Sequence, residues 1–141
     1  MKYASSVDLA ASPAVVHAYV NDLSRYVEWM PLVHSAQPCG ESVWDVELRA
    51  KVGVFARSKR LRMRKTMDDG VVIVFERDED DGRRHSPWVL RVTLSPTATG
   101  CTVQMDLAYG GSLWTAGVLD RVLAHHVDAG KSGLARLVDA G

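Results

Sequence analysis

The chain has 141 residues, 47% hydrophobic and 24% charged, and its 17 basic side chains balance 17 acidic ones. That length suits a single domain, 1–141, able to bury roughly 70% of its unfolded surface, and a zero net charge gives no general attraction for nucleic acid or an anionic membrane. No apolar run approaches the ~20 residues of a membrane span, so no integral membrane association is expected.

The opening Met1-Lys2-Tyr3-Ala4-Ser5-Ser6 enters a strand pattern directly, unlike a signal peptide. Cys39 and Cys101 fit a reduced, cytoplasmic protein better than a disulfide scaffold. Tyr3 to Ala10 reads as a first strand with Val7 and Leu9 on one face. Ser12-Pro13 supplies a cap and a first-turn proline for a helix through Tyr19. After Asn21-Asp22-Leu23, Ser24 is expected to cap a second short helix that ends at Pro31.

A short strand follows from Leu32 to Pro38. Val43 to Val52 alternates plainly: Trp44, Val46, Leu48, Ala50 and Val52 face one way, Asp45, Glu47, Arg49 and Lys51 the other. Phe55 to Thr66 is a long strand with Phe55, Leu61 and Met63 inward. Asp68-Asp69-Gly70 signals a hairpin into the apolar run Val71 to Phe75. Asp78 to Gly82 is an acidic turn, and strands led by Trp88 to Leu94 and Val103 to Tyr109 complete the sheet. Gly110-Gly111 then opens a long amphipathic helix, with Ser112 as its cap and a run to about Val138. Trp114, Val118, Val122, Leu134 and Leu137 recur at helical spacing. One such helix needs a surface for its stripe, and a curved sheet around it tends to enclose a chamber.

The search for chemistry excludes more than it finds. No Gly-x-Ser-x-Gly, His-x-x-x-His, Cys-x-x-Cys or phosphate-loop pattern occurs, so no catalytic nucleophile, metal or cofactor is expected. His125 and His126 point about 100° apart on a helix and cannot face one ion together. His85, before Ser86-Pro87-Trp88, is either a hydrogen-bonding or proton-shuttling group at a cavity mouth or the end of a loop hydrogen bond. Gly110-Gly111-Ser112 offers backbone donors for an anion, or simply a tight turn. Arg60, Arg62 and Arg64 form an outward basic stripe without stacking aromatics, which argues against nucleic acid.

The segments VDLAASPAVVHAYVNDLSRYVEWMP, VVIVFERDEDDGRRHSPWVLRVTL and GCTVQMDLAYGGSLWTAGVLDRVL together resemble the START-like helix-grip superfamily, SRPBCC. Polyketide cyclase/dehydrases and lipid-transport domains belong to that superfamily. The resemblance implies an α+β helix-grip fold: a seven-stranded curved antiparallel sheet, ordered strand, two helices, six strands, helix (β-α-α-β6-α), wrapped around the C-terminal helix. It implies a strand order of 2-1-7-6-5-4-3 and an internal cavity.

On that fold, strand parity nominates Trp44, Val46 and Leu48, then Phe55, Leu61 and Met63, as cavity wall. Trp88, Leu90 and Val92, then Met105, Leu107 and Tyr109, extend it, and the helix adds Trp114, Val118 and Val122. Arg57 and Lys59 share the inward parity, either as cations for a ligand oxygen or as side chains reaching water past the core. The expected role is binding or carrying a small hydrophobic ligand such as a lipid, quinone or polyketide-like aromatic, by a monomer or homodimer. The alternative is a polyketide aromatase/cyclase performing aldol closure and dehydration, with Arg57 or Lys59 and Tyr109 or His85 as candidate groups.

Overall fold

The computed structural model describes residues 1–52, 54–110 and 116–140, of which Val52, Phe55, 116–120 and Ala140 enter by backbone alone. The elements are β1 (Lys2–Leu9), α1 (Pro13–Val20), α2 (Leu23–Tyr26), β2 (Val33–Gly40), β3 (Val43–Val52), β4 (Phe55–Asp68), β5 (Val72–Arg77), β6 (Trp88–Pro96), β7 (Cys101–Tyr109) and α3 (Ala116–Ala140). All strand pairings are antiparallel, in the order β1-β7-β6-β5-β4-β3-β2.

This order corrects the expected placement of the second strand beside the first. A tight turn at Glu41-Ser42, with Ser42 at φ 58°, folds β2 directly onto β3. Among the described residues β1 instead pairs with β7 alone, from Lys2–Ala108 to Leu9–Cys101. The two short helices therefore carry the chain from one edge of the sheet to the other across its concave face. Ser12 caps α1 as expected, its side chain accepting from the Val15 N–H. α2 is capped by Asp22 rather than Ser24: the Asp22 carboxylate takes the Ser24 N–H at 3.0 Å. A carboxylate serves better there, since it also favours the positive end of the helix.

The concave face has a solid half and a hollow half. In the solid half, Ile73, Phe75, Val92, Leu94, Val103 and Cys101 are fully buried together with Val16 and Val20 of α1 and Leu134 of α3. Phe75 meets Tyr26 and Trp44 edge-on, at 6.1 and 5.7 Å between centroids. Toward the other end, Tyr3, Ser5, Leu90, Met105 and Leu107 share the inward phase yet remain only half-buried.

The buried stripe of α3 runs Leu123, Val127, Gly130, Leu134 and Val138. Val122, expected on that stripe, is half-buried beside it. Gly130 and Gly133 set this phase, because they let the helix backbone press onto Met30 and Trp29. Trp114 and the proposed Ser112 cap lie outside the described residues, as does the Val118 side chain.

On the convex face the basic stripe is matched by acids. Arg60 reaches Glu47 at 3.1 Å, Arg64 reaches Asp78 at 2.7 Å, and Arg62 lies 3.7 Å from Asp80. Such surface pairs contribute little stability. Cys39 is exposed and Cys101 buried, and both are free thiols. Among the described residues no helix is long and apolar enough to cross a membrane.

Candidate ligand cavity

A cavity of about 120 Å³ lies between the hollow half of the sheet, α2 with the segment after it, and α3. Val46 and Leu48 of β3 and Leu61 and Met63 of β4 form one wall. Trp88 and Leu90 of β6 with Met105 and Leu107 of β7 form the next, and Tyr3 and Ser5 of β1 close the edge. Strand alternation places these side chains inward, and cross-strand register sets them side by side: Val46 opposite Leu61, Leu90 opposite Leu107, Tyr3 opposite Leu107.

The roof was not legible in strand parity. It consists of Leu23, Tyr26, Met30, Leu32 and Val33 from α2 and its exit, with Leu123 and Val127 from α3. The one available signal was the apolar spacing of Leu23, Tyr26 and Met30. Tyr26 presents only its ring, because its hydroxyl donates to the Val20 carbonyl at 2.8 Å and burial pushes its pKa up.

Several residues nominated as wall stand elsewhere. Trp44 is buried against Phe75, and Val92 is sealed in the solid half. Tyr109 is buried against Trp88, with ring centroids 5.4 Å apart. Val122 is off the cavity by one helical position. Arg57 is exposed, Lys59 half-buried and His85 exposed, and none of the three borders the cavity. The Phe55 side chain, Trp114 and the Val118 side chain lie outside the described residues.

Trp88 carries the wall's sharpest polar feature. Its side chain is buried, and among the described residues its indole Nε1 has no hydrogen-bond acceptor. A buried donor left unpaired costs about 1–3 kcal/mol. His126 Nδ1, on α3, is likewise unpartnered, and burial, then the neighbouring His125, pushes its pKa down toward the neutral ring.

Beside Trp88 the sheet holds an arginine that sequence reasoning missed. Arg77 opposes Met63 on β4 and sits one position beyond the Glu76–Val89 pair, next to Trp88. Its side chain is only 9% exposed. Each guanidinium nitrogen is engaged: Nε donates to Glu79 at 3.2 Å, NH1 to the Ser86 carbonyl and hydroxyl, and NH2 to His85 Nδ1 at 3.3 Å. Because arginine only donates, His85 Nδ1 must accept, which leaves Nε2–H to donate to Asp81 at 2.9 Å. Glu79 also takes the backbone N–H of Arg62 at 2.7 Å. The parity of Ile73 and Phe75 extends to Arg77, which was the available signal.

Glu79, Asp81 and His85 bring three potential metal-ligating atoms within 4.8 Å of one another. The Arg77 guanidinium is bonded to two of those three side chains, Glu79 and His85, and ties the 78–87 connection to the end of β5. Lys59 on β4 has its ammonium pKa pushed down by burial and then by the positive charge of Arg77, with Glu79 opposing.

An antiparallel sheet that grips a C-terminal helix and leaves a carbon-walled hollow defines the START-like helix-grip class. The chain belongs to the polyketide cyclase/dehydrase and lipid transport family, whose sequence profile matches residues 1–140. No curated protein is a significant match in sequence. Among solved structures, a conserved protein from Geobacillus kaustophilus superposes with a TM-score of 0.77 at 13% identity, covering 99% of this chain and 96% of that one. A START superfamily protein from Mycobacterium smegmatis gives 0.73 at 13% identity, covering 99% and 97%. The Zhui aromatase/cyclase from Streptomyces sp. R1128 gives 0.66 at 14% identity, covering 99% and 93%. At such identities the likeness establishes the fold.

Proposed function

We propose that the protein binds a small apolar molecule in the cavity between the sheet, α2 and α3. The observation that carries this reading is a hollow of about 120 Å³ walled by aliphatic, thioether and aromatic carbon. An apolar cavity of roughly 150 Å³ in another protein stays dry and takes up benzene, so a guest of single-ring size is the natural occupant. A longer acyl chain or quinone would need α3 or the Met30 and Met105 side chains to shift, which methionine allows at small cost.

Binding is favoured over aldol cyclisation by the placement of the polar groups. Cyclisation asks for a proton donor or acceptor at the reacting carbon. His85 is turned onto Arg77 and Asp81, and each nitrogen of the Arg77 guanidinium already donates within the protein.

The test is thermal denaturation and native mass spectrometry with a panel of single-ring aromatics, fatty acids and quinones, on the native chain and on Leu107→Trp, which fills the hollow. A true ligand at a hundred times its Kd stabilises by about 2.7 kcal/mol, a rise of several degrees that Leu107→Trp should erase. If no compound raises Tm, or the filled variant responds equally, the binding reading falls. Turnover of a poly-keto thioester to a cyclised product would replace it with the enzymatic one.

A further inference from the structure

We infer that the guest carries a single carboxylate on its apolar body, and that this head reaches past the carbon wall of β3 and β4 to Lys59, which stands just beyond the cavity lining. The inference rests on the binding reading above and gives it a ligand class.

Lys59 sits in the inward phase two residues from Leu61 and directly opposite Leu48, and both neighbours line the cavity. It is therefore the next inward position once the carbon wall ends. Among the other cations on β4, Arg60, Arg62, Arg64 and Lys65 each approach a carboxylate within 4 Å, and Arg57, nearer the start of the strand, is exposed. Among the described residues Lys59 makes no ion pair or hydrogen bond.

The charged groups it feels are Arg77, of like sign, and Glu79. Glu79 is already committed to the Arg77 Nε and the Arg62 N–H. A half-buried ammonium with a like-charged neighbour and no carboxylate of its own is costly to hold. An anion delivered by a ligand removes that cost and forms a charge-assisted hydrogen bond.

The single charge of Lys59 selects the head. Arg77 uses Nε, NH1 and NH2 on protein partners, so it offers little to a second charge. One ammonium matches a monoanionic carboxylate better than a phosphate dianion, and the unpaired Trp88 Nε1–H offers a donor to a further ligand oxygen. A substituted benzoate has the size of the hollow and this charge.

The experiment compares 4-ethylbenzoate with its neutral counterpart 4-ethylbenzyl alcohol by NMR titration at neutral pH and low salt, on the native chain, Lys59→Met and Lys59→Arg. The native chain should prefer the acid by about tenfold, the gain of one charge-assisted hydrogen bond. Lys59→Met should remove that preference while leaving alcohol affinity within about twofold, and Lys59→Arg should retain it. Equal affinity for acid and alcohol in the native chain, or an equal loss of both in Lys59→Met, overturns the carboxylate assignment while leaving the cavity reading intact. Binding of neither compound overturns both.

Discussion

Replacing Gly133 by alanine tests how α3 is seated over the cavity. A Cβ at Gly133 would stand 2.8 Å from the Trp29 carbonyl oxygen and 3.3 Å from its Cα. Those atoms cannot swing aside, because the Trp29 N–H donates to the Tyr26 carbonyl and its indole donates to the Tyr19 carbonyl, both at 3.2 Å. Three residues earlier, a Cβ at Gly130 would meet the Met30 Cε at 2.7 Å and Sδ at 3.0 Å. That is the free end of a flexible side chain.

Either substitution gains about 1 kcal/mol in helix propensity. Overpacking costs about 1–3 kcal/mol, and the upper part of that range applies where backbone must yield. Gly133→Ala should therefore lose about 1–2 kcal/mol net, a fall in Tm of roughly 3–8 °C for a chain of this size. Gly130→Ala should melt near the native temperature. Because Met30 borders the cavity, Gly130→Ala should instead push its thioether into the hollow and weaken apolar ligands in the titrations above. Thermal and urea denaturation of both variants would decide the matter. A Gly133→Ala protein melting at or above the native chain would show that α3 does not ride on the Trp29 backbone.

Two further expectations concern single groups. Burial opposes ionisation of Asp68, but hydrogen bonds from His17, the Gly70 N–H and Lys65 outweigh it and hold the carboxyl below its usual range. A depressed folded pKa stabilises above the unfolded value near 3.9 and is lost as pH falls through the folded one. Asp68→Asn should thus melt below the native chain at pH 6 and match it near pH 2, as differential scanning calorimetry would read; a pH-independent gap would remove the electrostatic explanation. Trp88→Phe removes a buried donor that has no acceptor while keeping a ring on the wall. Its stability in urea should change by under about 1 kcal/mol, against about 3–5 kcal/mol for truncating a buried aromatic to alanine; a large loss would mean the indole N–H is paired in solution.

Much of the architecture was legible because alternation and capping are local. The inward phase of Val46, Leu48, Leu61 and Met63 follows from period two within β3 and β4, and Ser12-Pro13 announces α1 without reference to anything distant. The same logic placed eight of the nominated residues on the cavity wall. It misplaced Trp44, Val92 and Tyr109 because inward phase says which face a side chain takes, not whether atoms meet it there. Arg77 was passed over because a charged residue at the end of an apolar run reads as a strand terminus. Its burial depends on Ser86, His85 and Glu79 folding back around it.

Element order, strand faces and family membership are written in short-range patterns, where each residue's preference depends on neighbours a few positions away. Three features depend on contacts between segments remote in the chain: the pairing of β1 with β7, the rotation of α3 that turns Leu123 and Val127 inward, and the gap left between roof and wall. The rotation of α3 is decided by where glycines at 130 and 133 can touch Trp29 and Met30, a hundred residues earlier in the chain. A hollow is what remains where such surfaces fail to meet. Periodicity describes each surface separately and carries no measure of the distance between them.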